Sequence, residues 1–69
     1  MLKQQAINKV KSLKLIIEEN EYFGFYLYVF DLSTGKRTHD HHYFHDQLEN
    51  LYRHAQEDYG VDKNMFIDI

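Results

Sequence analysis

The stretch "LKQQAINKVKSLKLIIEE", residues 2 to 19, sets whether the chain opens with a helix or with strands. Leu2, Ala6, Val10, Leu13 and Ile17 recur at steps of four, four, three and four, with lysine, glutamine and asparagine filling most of the gaps. That spacing predicts an amphipathic helix over roughly residues 2–19, with Leu15 and Ile16 widening the apolar stripe at its end. Leu13, Leu15 and Ile17 also alternate, so "LKLIIEE" carries a competing strand pattern. The helix is the preferred reading because its period runs through the whole stretch.

Next comes "YFGFYLYVFD". Six aromatics fall within the nine residues Tyr22 to Phe30, joined by Leu27 and Val29. Aromatic and β-branched side chains suit a pleated, packed surface, so a strand is expected. Phe23, Phe25, Leu27 and Val29 would point one way, and Tyr26, Tyr28 and Phe30 the other. "DLSTGKR" then supplies a hairpin turn in which Gly35 can take a positive φ, and Lys36 to His41 would form the return strand.

From Asp46 the period returns to that of a helix. Leu48, Leu51, Tyr52, Ala55 and Tyr59 mark one face. Asp46 and Glu49 resemble an acidic capping box, and Gly60 before Val61 reads as a Schellman stop. In the tail "NMFIDI", Met65, Ile67 and Ile69 share one side, as in a short strand. The expected fold is therefore α+β: one domain spanning 1–69, a small antiparallel β-hairpin packed against two helices in the order α-β-β-α, with room for a short C-terminal strand. Two helices and two strands cannot cover both faces of the aromatic strand. Its tyrosine side is left for another molecule or for the returning tail.

A 69-residue chain buries only about 60% of its unfolded surface, so an added staple is common at this size. There is no cysteine, which removes disulfides and thiolate metal sites. Self-association or a histidine–carboxylate metal site remains. No apolar core of a signal peptide follows Met1 and no apolar run is long enough to span a bilayer, so a cytoplasmic protein without membrane contact is expected. The net charge is −3. Lys3, Lys9, Lys11 and Lys14 place +4 on the first 17 residues, leaving −7 on the remainder. Such a two-signed chain can pair with itself or with a partner of either sign.

"THDHHYFHDQLENL" holds four of the five histidines, His39, His41, His42 and His45. His39 and His41 would share a strand face, and Asp46 lies four residues past His42. These four residues, His39, His41, His42 and Asp46, are the candidate metal ligands, since zinc takes three or four N or O ligands at about 2 Å. The spacing fits no established metal motif, so the tract reads first as a polar bridge between strand and helix, and no cofactor is assigned. Five imidazoles titrating near pH 6.5 also give the chain a means of responding to pH.

Two further chemistries have weaker support in the sequence. Lys9, Lys11 and Lys14 could track phosphates beside Tyr26 and Tyr28 as base-stacking rings, but the acidic body makes nucleic acid the weaker partner. Catalysis lacks the usual parts: Ser12 and Ser33 are the only serines, and there is no glycine-rich phosphate loop or nucleophile elbow. The leading reading is a small non-enzymatic protein-binding module of the inhibitor, immunity or phage-regulatory kind, ahead of a histidine-mediated metal-binding or metal-responsive protein and then a nucleic-acid-binding protein. The module's contact surface would join Tyr26, Tyr28 and Phe30 to Glu49, Arg53, Glu57 and Asp58 on the second helix. Homodimerisation is expected from the exposed rings and from pairing of a basic first helix with an acidic second one.

Overall fold

The computed structural model describes residues 1–38 and 43–69. The chain forms β1 (Lys3–Asn8), β2 (Leu13–Glu19), β3 (Phe25–Asp31), β4 (Tyr43–His45), α1 (Leu48–Tyr59), a short 3-10 turn (Lys63–Met65) and β5 (Ile67–Asp68). The strands make one antiparallel sheet in the order β4-β3-β2-β1-β5. The expected α+β arrangement with two helices is thus corrected, among the described residues, to a five-stranded antiparallel sheet carrying a single helix.

The correction falls on residues 2–19. They form the β1–β2 hairpin, with Lys3 opposite Glu18 and Asn8 opposite Leu13. Leu15 and Ile17 are fully buried, whereas Val10, central to the supposed helical stripe, is 97% exposed at the turn. A helix would have left Leu15, Ile16 and Ile17 spread around its circumference. The strand sends Leu15 and Ile17 into the core and Ile16 to the other face, and β-branched side chains fit that geometry well. The turn needs neither glycine nor proline. Ser12 takes φ 57°, and the Asn8 side chain accepts a hydrogen bond from the Lys11 N–H at 3.2 Å. The Asn8 Nδ2 also donates to the Tyr59 carbonyl at 2.9 Å, tying the hairpin to the end of the helix. Local side-chain hydrogen bonds of this kind let asparagine substitute for glycine in a turn.

The aromatic strand follows its alternation from Phe25 onward, whereas Phe23, expected on the inner side, lies in the turn before β3, 69% exposed and against Phe44. In β3, Leu27 and Val29 are buried and Phe25 packs against the core, while Tyr26, Tyr28 and Phe30 face the other way. Gly35 adopts φ 75° in the next turn, where the Asp31 N–H meets the Lys36 carbonyl at 2.8 Å. Of the expected return strand 36–41, Arg37 pairs with Phe30 as a single bridge and Thr38 donates to the Val29 carbonyl, while residues 39–41 lie outside the described residues; Tyr43–His45 pair with Phe25–Leu27.

Helix α1 closes the inner face. Leu51, Tyr52 and Ala55 are buried in one cluster with Ala6, Leu15, Ile17, Leu27 and Val29. The helix begins two residues later than Asp46, after an extended Gln47 that makes no side-chain cap, so the expected Asp46–Glu49 box does not form. Its end is a glycine stop: Gly60 has φ 66°, and the Gly60 and Val61 N–H groups reach the Gln56 and Ala55 carbonyls. Val61 and Phe66 complete the core. The tail then pairs with β1 through Gln4–Asp68 and Gln5–Ile67, and so does not cover the tyrosine face.

Candidate functional site: the outer face of the sheet

One helix can cover one face of a sheet. The outer face carries alternate residues from each strand, and the register arranges them in rows. Ile7, Lys14, Phe30 and Arg37 lie across one end. Ile67, Gln5, Ile16 and Tyr28 cross the middle. Lys3, Glu18, Tyr26 and Phe44 cross the other end. Neighbouring strands are about 4.8 Å apart, so side chains in one row touch.

The rings form a connected array. Tyr26 lies 6.2 Å from Tyr28 and 5.2 Å from Phe44, and Phe44 meets Phe23 edge-on at 6.2 Å. Lys14 Nζ stands 5.1 Å above the Phe30 ring and the Arg37 guanidinium 5.5 Å above Tyr28, both within cation–π range. Burial raises the Tyr28 phenol above its ordinary pKa. Glu18 and Tyr26 push it the same way, and Arg37 opposes them.

The face is two-signed along the strands. Lys14 and Arg37 flank Phe30 at one end. At the other, Glu18 stands between Lys3 and Tyr26, and Glu21 lies in the turn that carries Tyr22 and Phe23. Between Leu15 and Gly35 the sequence contains Glu18, Glu19, Glu21 and Asp31, and no lysine, arginine or histidine.

The expected interface residues do not form one surface. Tyr26, Tyr28 and Phe30 are together on the outer face, but Glu49, Arg53, Glu57 and Asp58 belong to α1, in the layer behind the sheet. The expected homodimer is not supported, and one of its two grounds, the pairing of a basic helix with an acidic one, falls. Lys9 and Lys11 sit in the β1–β2 turn and Lys14 on β2, so no basic first helix exists to meet an acidic second one. Of the phosphate-tracking candidates, Lys14 reaches the ring array. Lys11 leans toward Gly60 at the end of the helix.

Of the candidate metal ligands, His39, His41 and His42 lie outside the described residues, and Asp46 is exposed ahead of the helix. Among the described residues, no three His, Cys, Asp or Glu side chains are placed to hold a metal ion. His45 and His54 come together on the inner side, with ring centroids 5.7 Å apart. His54 also packs on Tyr43 at 4.2 Å, and its Nε2 lies 2.8 Å from Asp58 Oδ2 without the angle of a hydrogen bond. Sequence reasoning missed this pair because the two residues belong to different elements. It also missed Phe23 and Phe44 as members of the ring array. Phe44 reaches Tyr26 only through the β3–β4 register, which no local pattern encodes.

No helix among the described residues is long and apolar enough to cross a membrane. Compared with known protein families, curated proteins and solved structures, the chain matches none.

Proposed function

We propose that this chain is a non-enzymatic protein-binding module that acts by laying the outer face of its sheet on a partner protein. The observation that carries the reading is the ring array Phe23, Phe44, Tyr26, Tyr28 and Phe30 on the face opposite the helix, bordered by cations at one end and carboxylates at the other. Tyrosine and phenylalanine are enriched in protein interfaces, and their large contact area costs little side-chain entropy. A standard interface takes about 800 Å² from each partner. That is about a sixth of this protein's 4641 Å² of surface, so one face is sufficient.

The charge pattern favours a polypeptide over nucleic acid. Nucleic acid presents phosphate along its whole length. It would be attracted at Lys14 and Arg37 and repelled at Glu18 and Glu21. A protein can carry acid opposite one end and base opposite the other, which also fixes its orientation. Cations already standing over Tyr28 and Phe30 further compete with base stacking on those rings.

The test places a photo-crosslinking amino acid, p-benzoylphenylalanine, at position 28 or at position 56 and irradiates cells of the native host. Gln56 is exposed on α1, away from the sheet face. Position 28 is expected to give a discrete protein adduct that position 56 does not give. Identical adducts from the two positions, no adduct at 28, or an adduct destroyed by nuclease would each refute the proposal.

A further inference from the structure

At the acidic end of the outer face, Asn20, Tyr22, Phe23, Tyr26 and Phe44 line an open groove of about 390 Å³. Its walls include four aromatic rings, of which Phe44 is set at steep angles to Phe23 and Tyr26. Phe23 and Phe44 meet at 80°, and Tyr26 and Phe44 at 55°. Rings in such an arrangement present both faces and edges to whatever enters.

The groove is held in shape from behind. Asn20 Nδ2 donates to the Tyr26 hydroxyl at 3.0 Å, and Asn20 Oδ1 accepts from the Tyr22 N–H at 2.8 Å. One side chain therefore fixes a ring in β3 and the turn that carries two more, Tyr22 and Phe23. Tyr22 is 84% and Phe23 69% exposed, so the groove opens to solvent.

Its electrostatic setting is negative. Glu18 is the cross-strand neighbour of Tyr26, and Glu21 precedes Tyr22 in the turn. Lys3 lies on the far side of Glu18 from the groove, and the Arg37 guanidinium stands over Tyr28, one ring along the strand from Tyr26. Aromatic faces carry negative quadrupole potential, and aromatic walls with carboxylates at the rim attract an alkylammonium ion in preference to a neutral or anionic group.

We infer that this groove receives a lysine side chain of the partner protein, held by cation–π contact with the rings and by Glu18 and Glu21 at the rim. The inference rests on the reading of the outer face as a protein contact and adds the chemistry of what that face recognises. Methylation of the lysine strengthens binding, because a trimethylammonium group gives up its water more readily than an ammonium while keeping its charge.

Three short peptides test this by NMR titration of the intact chain. They are identical except for one residue: lysine, trimethyllysine, or the uncharged analogue in which carbon replaces the trimethylammonium nitrogen. The trimethyllysine peptide is expected to bind about threefold or more tightly than its uncharged analogue, as exposed cation–π contacts allow. The lysine peptide should fall between them, with shifts centred on Asn20, Tyr22, Phe23, Tyr26 and Phe44. Phe23→Leu and, separately, Glu21→Gln should shrink the preference for charge. Both residues are exposed, so the fold is retained. Equal binding of the charged and uncharged peptides, or shifts centred elsewhere, overturns the inference. If adducts form at position 28 while the charge preference is missing, the groove is wrong and the protein-contact reading stands. If position 28 yields no adduct, the broader reading is the one that fails.

Discussion

The Phe44 ring lies against Gly24, packed so closely that a Cβ on the glycine would come within 2.6 Å of Phe44 Cε2 and 3.1 Å of the His45 carbonyl oxygen. This contact joins the β2–β3 turn to the short edge strand β4 and sets the wall of the aromatic groove. Gly24 also has φ 87°, where a side chain is strained. Gly24→Ala therefore combines a backbone cost with displacement of an aromatic ring. A loss of about 2–4 kcal/mol is expected in urea unfolding, read as a lower midpoint at unchanged slope. Gly35→Ala is the control. It has φ 75° but nothing within 4 Å of the added carbon, so only the backbone cost of about 1 kcal/mol should appear. Equal losses for the two variants would show that Phe44 does not press on Gly24.

The first hairpin is tested by comparing two residues that the helical reading treats alike. Leu15 is fully buried and Val10 is 97% exposed. Leu15→Ala should cost about 2–5 kcal/mol, as for other buried leucines. Val10→Ala should stay within about 0.5 kcal/mol, as for a surface site. In a helix over residues 2–19, Val10 would lie at the centre of the buried stripe and its truncation would be costly. Chemical denaturation of the two variants separates the topologies.

These two elements also show what the sequence could reveal. Strand β3 is legible because Phe25, Leu27 and Val29 alternate with Tyr26, Tyr28 and Phe30, and a period of two has no good helical alternative. Helix α1 is legible because Leu51, Tyr52 and Ala55 fit only the helical period. Residues 2–19 satisfy both periods at once. Ala6, Leu13 and Ile17 are inward in the sheet and would be inward in a helix too, so the decision rests on Val10 and on a turn without glycine or proline. Ser12 at positive φ and the Asn8 side-chain bond supply that turn, and neither is a strong local signal. The site was half legible for a related reason. The Tyr26, Tyr28 and Phe30 row follows from one strand alone, whereas Phe44, the opposed charges and the separation of Glu57 from the rings depend on which strands are neighbours.

Alkaline pH should destabilise the fold through its tyrosines. The Tyr59 hydroxyl donates to the Tyr43 oxygen at 3.0 Å. Burial, followed by that hydrogen bond, raises its pKa well above the ordinary phenol value, and burial also raises Tyr28 and Tyr52. The unfolded chain loses these protons near pH 10 while the folded chain still holds them, so stability declines as pH rises above about 10. Tyr59→Phe should lower stability near neutral pH by about 1 kcal/mol through the lost hydrogen bond, yet make the alkaline decline shallower. Melting temperatures of both proteins from neutral to alkaline pH check this. Parallel curves would mean that Tyr59 ionises alike in both states.

At the acid end Asp31 acts in the opposite sense. Hydrogen bonds from the Ser33 hydroxyl at 2.6 Å and the Ser33 N–H at 2.8 Å hold its carboxyl below the usual range. Its contribution is present above the unfolded carboxyl pKa and is lost as pH falls through the lower folded value. Ser33→Ala should therefore reduce stability at neutral pH and flatten its fall in acid. The same acid dependence in both proteins would show that the Ser33 hydroxyl does not govern Asp31.

The claim that the outer face of the sheet is the working surface is tested most directly by the affinity of the partner recovered by crosslinking. Isothermal titration would compare Tyr28→Lys with Glu57→Lys, after thermal melting has shown both variants folded. Both changes raise the net charge, by one on the ring array and by two on the helix behind the sheet. Loss of a central aromatic anchor is expected to weaken binding by roughly tenfold or more, and the helix change by less than about twofold. The reverse order, with Glu57→Lys the damaging change and Tyr28→Lys neutral, would place the contact on the helix and contradict the account.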